Sequence, residues 1–412
     1  MVQAAYALTD DQELLRRTVA DVARKRVAPR AAEIDARAEY PHDMFDLLRE
    51  MGLFALPFPL EYGGTGSTLS GCIAVEELGR VCYNTAYLLV VQWVPFGAIL
   101  AAGDGAQRGR WLPGLAAGTL RGAISVTEPS GGSDVARIQT RAERRPGGYA
   151  LTGTKIFCTN AAVADFVIVA AKTAREGGDH GLGLFVVERG TPGFVVGKSE
   201  SKLGARGVPS SELRFDGAFV PEANRLGSEH EGFKAVMEAF NRSRPIIGAR
   251  GVGLAQGAMD LAADYAKQRV AFGQPVAAFQ GIRWMIADMA IQIEAARQLV
   301  YRAAAAVDAG ATGREVAPLA AMAKCFATDV AMKVAVDAVQ IFGAAGVSTE
   351  YPIERYLRDA KVLQIVEGTN QIQRNIVADA VLGRYVVMSP PRTDAGRAQR
   401  TPGALTVTAP VC

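Results

Sequence analysis

The sequence predicts an α+β fold: a helical N-terminal domain, a middle domain of antiparallel strands and a C-terminal helical bundle. Three observations predict it. Apolar residues recur at helical spacing up to about Gly118 and again after Phe233, with short β-prone runs between. Clusters of Gly, Pro and Asp separate those runs, as turns between strands require. At 412 residues the chain is also too long for one simple core. The expected domains span 1–120, 121–232 and 233–387, with a tail at 388–412.

In chain order, Thr9 followed by Asp10, Asp11 and Gln12 has the form of a capping box opening the first helix. Pro41, Gly52, Glu61-Tyr62-Gly63-Gly64 and Gly103 divide the N-terminal region into several helices. Its most apolar window, 86–102, is interrupted by Gln92 and Pro95, short for a membrane span, and reads as a buried helix. Strands are expected at 138–144, 149–157, 166–170, 184–187, 194–196 and 212–219. Ile282, Met285, Met289, Ile293, Ala296 and Val300 then fall on one face of a long helix, and 324–342 forms another. Residues 388–412, rich in Pro, Thr and Gly, have little to bury and are expected to be loosely held.

Composition excludes several function classes. Lys plus Arg number 45 against 42 for Asp plus Glu, a net charge of +3, which argues against a nucleic-acid surface. Five scattered cysteines without a C-x-x-C pair, and His42, His180 and His230 far apart, offer no disulfide framework, metal site or histidine-based catalysis. No leader segment is visible at the N-terminus, so a cytoplasmic location is expected, with a reducing compartment and no membrane partner. Neither G-x-G-x-x-G between strand and helix nor G-K-[ST] occurs.

Five segments carry more information. They are Ser125-Val126-Thr127-Glu128-Pro129-Ser130-Gly131-Gly132-Ser133-Asp134; Lys155-Ile156-Phe157-Cys158-Thr159-Asn160; Arg242-Ser243-Arg244-Pro245; 269–280, with Phe272-Gly273 and Phe279-Gln280; and Glu350-Tyr351-Pro352 through Arg358-Asp359-Ala360 to Glu367-Gly368-Thr369-Asn370-Gln371. In order and spacing they resemble the acyl-CoA dehydrogenase family over roughly the first 385 residues. Taken singly each is weak: Gly-Gly-Ser-Asp is an ordinary turn, and Glu367 an exposed acid near a helix end.

The resemblance implies FAD and an acyl thioester. Taking a hydrogen pair from the α and β carbons needs a base and a hydride acceptor, and no side chain accepts hydride. Glu367 matches the family's base, among the apolar Val362, Leu363, Ile365 and Val366 and before the small Gly368. Ile124, Val126 and Thr127 match the loop at the flavin pyrimidine, and Ser133 a serine near both flavin and thioester. Thr159 matches the threonine at the reactive flavin nitrogen, and Phe157 an aromatic against the ring, where many relatives carry Trp. Asn241, Arg244 and Gly368 match substrate contacts. Arg269, Phe272, Gln280, Gln340, Gly343 and Ala344 resemble a second clamp that reaches a neighbouring subunit's FAD. The usual Gly-Gly-Asn-Gly there is Gly343-Ala344-Ala345-Gly346. Thr369 and Gln371 open a helix over 371–382, whose free N–H groups favour an anionic group of the cofactor.

The implied partners are an acyl-CoA or acyl-carrier-protein substrate, a separate acceptor such as an electron-transfer flavoprotein, and copies of the chain in a homodimer or homotetramer. An oxygen-using oxidase or monooxygenase on the same fold, or a scaffold without flavin, is the alternative. Glu367 argues against the first, and Thr127, Thr159, Arg269 and Glu367 together against the second. Trp93, near positions that shape acyl length in relatives, suggests a compact acyl group. Cys82, where glutaryl-specific relatives place arginine, disfavours a free ω-carboxylate.

Overall fold

The structure, a computed structural model, describes residues 8–173 and 181–383. The expected tail at 388–412 lies outside the described residues.

Six helices open the chain: α1 (Asp10–Val22), α2 (Ala31–Arg37), α3 (His42–Glu50), α4 (Thr68–Gly79), α5 (Tyr83–Ala102) and α6 (Gly105–Ala116). The capping box forms: Gln12 N donates to Thr9 Oγ1 at 3.3 Å, and Thr9 N to Gln12 Oε1 at 3.1 Å. By length and apolarity α5 could cross a membrane, contrary to the sequence expectation, but Tyr83 through Ile99 are all buried inside the fold. Gln92, the polar interruption of its 86–102 window, is hydrogen-bonded at both ends of its amide. Its Nε2 donates to Leu115 O at 3.2 Å, and its Oε1 accepts from Gly122 N at 3.4 Å. This residue ties α5 both to the end of α6 and to the first strand. Gly122 is needed at that crossing, because a Cβ there would lie 2.8 Å from Pro95 Cγ.

The middle sheet contains β1 (Gly122–Ser125), β2 (Arg141–Arg145), β3 (Gly148–Thr159), β4 (Phe166–Lys172), β5 (Leu182–Glu188), β6 (Phe194–Ser199), β7 (Ser210–Pro221) and β8 (Arg225–Leu226). Its order is β6-β7-β3-β2-β4-β5-β8, with β1 beside β4. Two features differ from expectation. The sheet is not wholly antiparallel: β1 pairs with β4 in parallel, Gly122 opposite Phe166 through Ser125 opposite Val169, and β2 meets β4 in parallel at Arg141 and Lys172. The loop after β1 and the β2–β3 hairpin bring the chain back beside β1 in its original direction. The strand expected from 138 starts only at Arg141, because the amides of Gln139 and Thr140 are donated to the Glu128 carboxylate.

Both faces of β4 are covered, which explains its unbroken apolar run. Phe166, Ile168 and Ala170 join the large helical core, while Val167, Val169 and Ala171 join a second core within the β-domain.

The C-terminal region begins with α7 (Gly232–Gln268) and a two-residue ribbon of β9 (Val270–Ala271) and β10 (Gln274–Pro275). Then come α8 (Gln280–Asp308), α9 (Gly313–Phe342), α10 (Ile353–Leu363) and α11 (Asn370–Leu382). On α8 the expected face is inward: Met289, Ile293, Ala296 and Val300 are buried, with Ile282 and Met285 packed at its edge. The expected helix at 324–342 starts eleven residues earlier and runs through Pro318. Pro318 is the sixth residue of the helix and has no N–H to give to the carbonyl four residues back, so one intrahelical bond is lost there. The last helix begins at Asn370, one residue before expectation, where Thr369 Oγ1 accepts from Ile372 N at 3.3 Å.

Candidate active site

A cavity of about 1350 Å³ opens where α5, β1, β3, α7 and the α10–α11 turn meet. Of the expected site residues, Ile124, Val126, Thr127, Ser133, Phe157, Thr159, Asn241, Arg244, Glu367, Gly368 and Thr369 line it. Arg269, Phe272, Gln280, Gln340, Gly343, Ala344 and Gln371 do not line it, and all are exposed. Phe272 is 95% exposed at the tip of the β9–β10 ribbon, with φ +52°. Trp93 does not reach the cavity either. Its indole donates to Phe54 O at 2.7 Å and its ring lies against Gly71, so it cannot shorten an acyl pocket. From α5 the lining residues are Tyr87, Val91 and Val94.

The wall from the β-domain is pinned by a pair that sequence reasoning passed over. Lys155 and Glu128 are buried and bridged at 2.8 Å, and Lys155 Nζ also donates to Val126 O at 3.0 Å. Burial works against the Glu128 carboxylate, but Lys155 and the amides at 139 and 140 hold it below its ordinary range. The bond from Ile156 N to Thr127 O, 3.0 Å, closes the same loop onto β3. Beyond Lys155 the register of β3 against β7 shifts, and Phe157 takes φ +54° and faces the cavity. A bulge of this kind re-aims a side chain beside a site.

Glu367 sits in the turn between α10 and α11, with φ +53°, followed by Gly368 with φ +90°. The Ser243 hydroxyl donates to the Glu367 carboxylate. Burial raises the Glu367 pKa, opposed by the Ser243 hydrogen bond and by Arg250, Arg244 and Lys324. Arg244 is itself buried, and burial brings its pKa down to about 10 against the pull of Glu367; its Nη1 donates to Asn241 Oδ1 at 2.8 Å. Gly368 is confined from both sides of its turn. A Cβ there would lie 2.7 Å from Gln373 Nε2 and would be strained at that φ.

Arg250, Lys324 and Gln373 were missed in the sequence, and Ser243, matched there to a contact with the CoA part, bonds the Glu367 carboxylate. The available signals were weak: Arg250 and Lys324 are single charged residues inside otherwise apolar stretches of α7 and α9, and Gln373 is one of several polar residues opening α11. Arg250 is 0% exposed between the rings of Tyr83 and Tyr87, at 4.4 and 3.8 Å, and its guanidinium nitrogens meet the geometry of no hydrogen bond among the described residues. Asp359, from the Arg358-Asp359-Ala360 string, is structural. Burial pushes its pKa up to about 7, and it accepts from Ala205 N at 2.7 Å, holding the cavity wall at Ala205.

The helical–β–helical order thus places the Glu367 carboxylate on the wall of a largely apolar cavity. Models of the N-terminal, middle and C-terminal domains of acyl-CoA dehydrogenase match residues 9–119, 123–218 and 230–382. An acyl-CoA dehydrogenase of Bacillus subtilis (strain 168) is 46% identical over 379 residues, covering 91% of this chain and 99% of its own. Cyclohexane-1-carbonyl-CoA dehydrogenase of Geobacter metallireducens is 43% identical over 381 residues, covering 92% and 99%. Butyryl-CoA dehydrogenase from Megasphaera elsdenii superposes with TM-score 0.88 at 40% identity, covering 92% and 99%. A structure described as the electron transferring flavoprotein of Acidaminococcus fermentans contains a chain with TM-score 0.88 and 42% identity, covering 92% and 99%. An FAD complex of PigA gives TM-score 0.86 at 28% identity, covering 92% and 100%. The chain belongs to the acyl-CoA dehydrogenase family. It is an FAD-dependent oxidoreductase acting on acyl-CoA.

Proposed function

We propose that the chain converts an acyl-CoA to its trans-2-enoyl-CoA, with Glu367 removing the α proton. The observation that carries this reading is the Glu367 carboxylate on a largely apolar cavity wall, bonded by Ser243 and facing buried cations. Burial makes the carboxylate a stronger base, and the opposing groups limit how far its pKa climbs. The base must be unprotonated to act, so turnover falls as pH drops through that raised value.

The residues present fit FAD. The cavity exceeds the usual range for one small ligand, roughly 300–1000 Å³, leaving room for a thioester beside a ring system. Ser125 lies on its wall, and its buried Oγ meets the geometry of no hydrogen bond among the described residues. Ile124, Val126, Thr127, Phe157, Thr159 and Thr369 would hold the cofactor, and Ser133, Asn241, Arg244 and Gly368 the thioester. FAD, when bound, accepts the β hydride. The electrons then pass to a separate protein, for which an electron-transfer flavoprotein is the candidate.

Anaerobic flavin bleaching against a panel of acyl thioesters tests the reaction. Compact straight-chain and alicyclic acyl-CoAs are expected to bleach it, as the butyryl and cyclohexane-1-carbonyl relatives suggest. Failure of every acyl-CoA, with bleaching by acyl-carrier-protein thioesters, would move the enzyme to a biosynthetic substrate class.

Six of the seven exposed residues outside the cavity, all but Gln371, are assigned to a neighbouring subunit's FAD, in a homodimer or homotetramer. Trp284 and Ile291 on α8, 61% and 66% exposed, support a further copy on that face. Arg269→Ala removes a charge-assisted contact of about 1.5–3 kcal/mol. FAD should then leave on dilution, and added FAD should restore both yellow colour and oligomer, because the cofactor binds only the assembled form. Size-exclusion chromatography with flavin absorbance checks this; a variant that stays flavinated and assembled at the lowest concentration sinks the cross-subunit assignment.

A further inference from the structure

Glu367 and Gly368 are consecutive residues in the left-handed region, an arrangement a glutamate adopts only where its surroundings impose it. The imposing contacts converge on one atom. Gly368 O accepts from Lys324 Nζ at 3.0 Å and from Gln373 Nε2 at 2.9 Å. Lys324 is 0% exposed on α9, and its second bond runs to Asn370 Oδ1 at 2.8 Å. Asn370 is fixed in turn by donating to Thr328 Oγ1 at 2.9 Å and Asp329 Oδ1 at 2.7 Å. A lysine buried this completely is costly to keep charged, and burial brings its pKa down to about 7 despite Glu367. Its place is better explained by what it holds than by packing.

We infer that Lys324 is a positioning residue for the base: it clamps the Glu367–Gly368 turn through the Gly368 carbonyl and sets a positive charge behind the carboxylate. The inference rests on Glu367 being the base. Other groups facing Glu367 are Ser243, Arg244 and Arg250 from α7 and Tyr83 and Tyr87 from α5, so Lys324 is one of three cations whose removal raises the pH at which Glu367 takes a proton. Neither Asp329 nor Cys325, its charged and ionisable neighbours on α9, touches the carboxylate side of the turn.

The test compares Lys324→Met, which keeps the apolar stem, with Lys324→Arg, which keeps charge and donors. The FAD-loaded proteins are given a 3-thiaacyl-CoA in D₂O, whose α hydrogen can exchange but which has no β hydrogen to lose. Mass spectrometry then reads proton abstraction alone, across pH. Lys324→Met should exchange on the order of 10²-fold more slowly at neutral pH, because the base is misplaced. Its acid limb should move to higher pH, while FAD content stays that of the wild type. Lys324→Arg should keep the acid limb where it is and recover most of the rate. Wild-type exchange with an unmoved limb in Lys324→Met overturns the inference. If that variant fails to hold FAD, Lys324→Arg decides, and a displaced limb despite retained charge overturns it equally. Glu367→Gln run alongside separates the two readings: exchange at wild-type rate in that variant removes the base assignment itself.

Discussion

Glu367→Gln should fold, bind FAD and take up acyl-CoA, yet reduce its flavin on the order of 10²–10⁴-fold more slowly. The replacement keeps the shape and the Ser243 contact but removes the basic lone pair. A thousandfold loss corresponds to about 4 kcal/mol of barrier, far more than a packing change at a partly exposed turn would cause. Stopped-flow flavin reduction under argon measures it. Bleaching at nearly the wild-type rate would mean that another group takes the proton. In the wild type the rate should rise with pH through a limb above the ordinary glutamate value, since burial raises Glu367 and the unprotonated form is active. The glutamine variant should lack that limb.

Lys155→Met should cost the most stability. It strands Glu128, buried at 4% exposure, without its 2.8 Å partner, and breaking such a pair from one side typically costs about 3–5 kcal/mol. The variant should be least impaired at low pH. An unpaired buried carboxylate has a folded-state pKa above its unfolded value, so its protonated form is tolerated below the unfolded pKa and stability is lost as pH rises through the folded one. Thermal melts from pH 5 to 8 would show the deficit widening. The double variant Glu128→Leu with Lys155→Met should recover much of the loss, because neither charge then needs the other. FAD affinity should fall in the single variant, as the Glu128 carboxylate organises the loop bearing Thr127 and Ser133. A melting temperature unchanged across that range would show the pair to be dispensable.

Periodicity made the layout readable because it is local. The inward face of α8 and the short apolar run of β4 both follow from patterns of a few residues. What escaped reading depends on pairs distant in sequence. β1 is four residues long and becomes a strand only beside β4, forty-four positions on. Glu128 and Lys155 each stood inside a recognisable motif, but their role appears only when β3 folds back beside the loop after β1 and puts them 2.8 Å apart. The same holds at the base. Glu367 was accessible through the string around it, whereas Ser243 and Lys324 reach it only through the register of α7 and α9 against the α10–α11 turn. Trp93 shows the converse error: a large ring at a suggestive position faces Phe54, because its place on α5 turns it away from Val91 and Val94.

The length of α7 has a consequence for how this enzyme tolerates change. Arg244 and Arg269 lie on and just past one continuous helix, about 38 Å apart at 1.5 Å per residue. The helix therefore acts as a ruler with a fixed phase between its ends. Deleting one residue between them shortens it by a trivial amount but swings the far end by about 100°. With Arg244 and Arg269 in their proposed roles, side chains in that span can vary with their packing but its residue number cannot, because both ends must then point the right way at once.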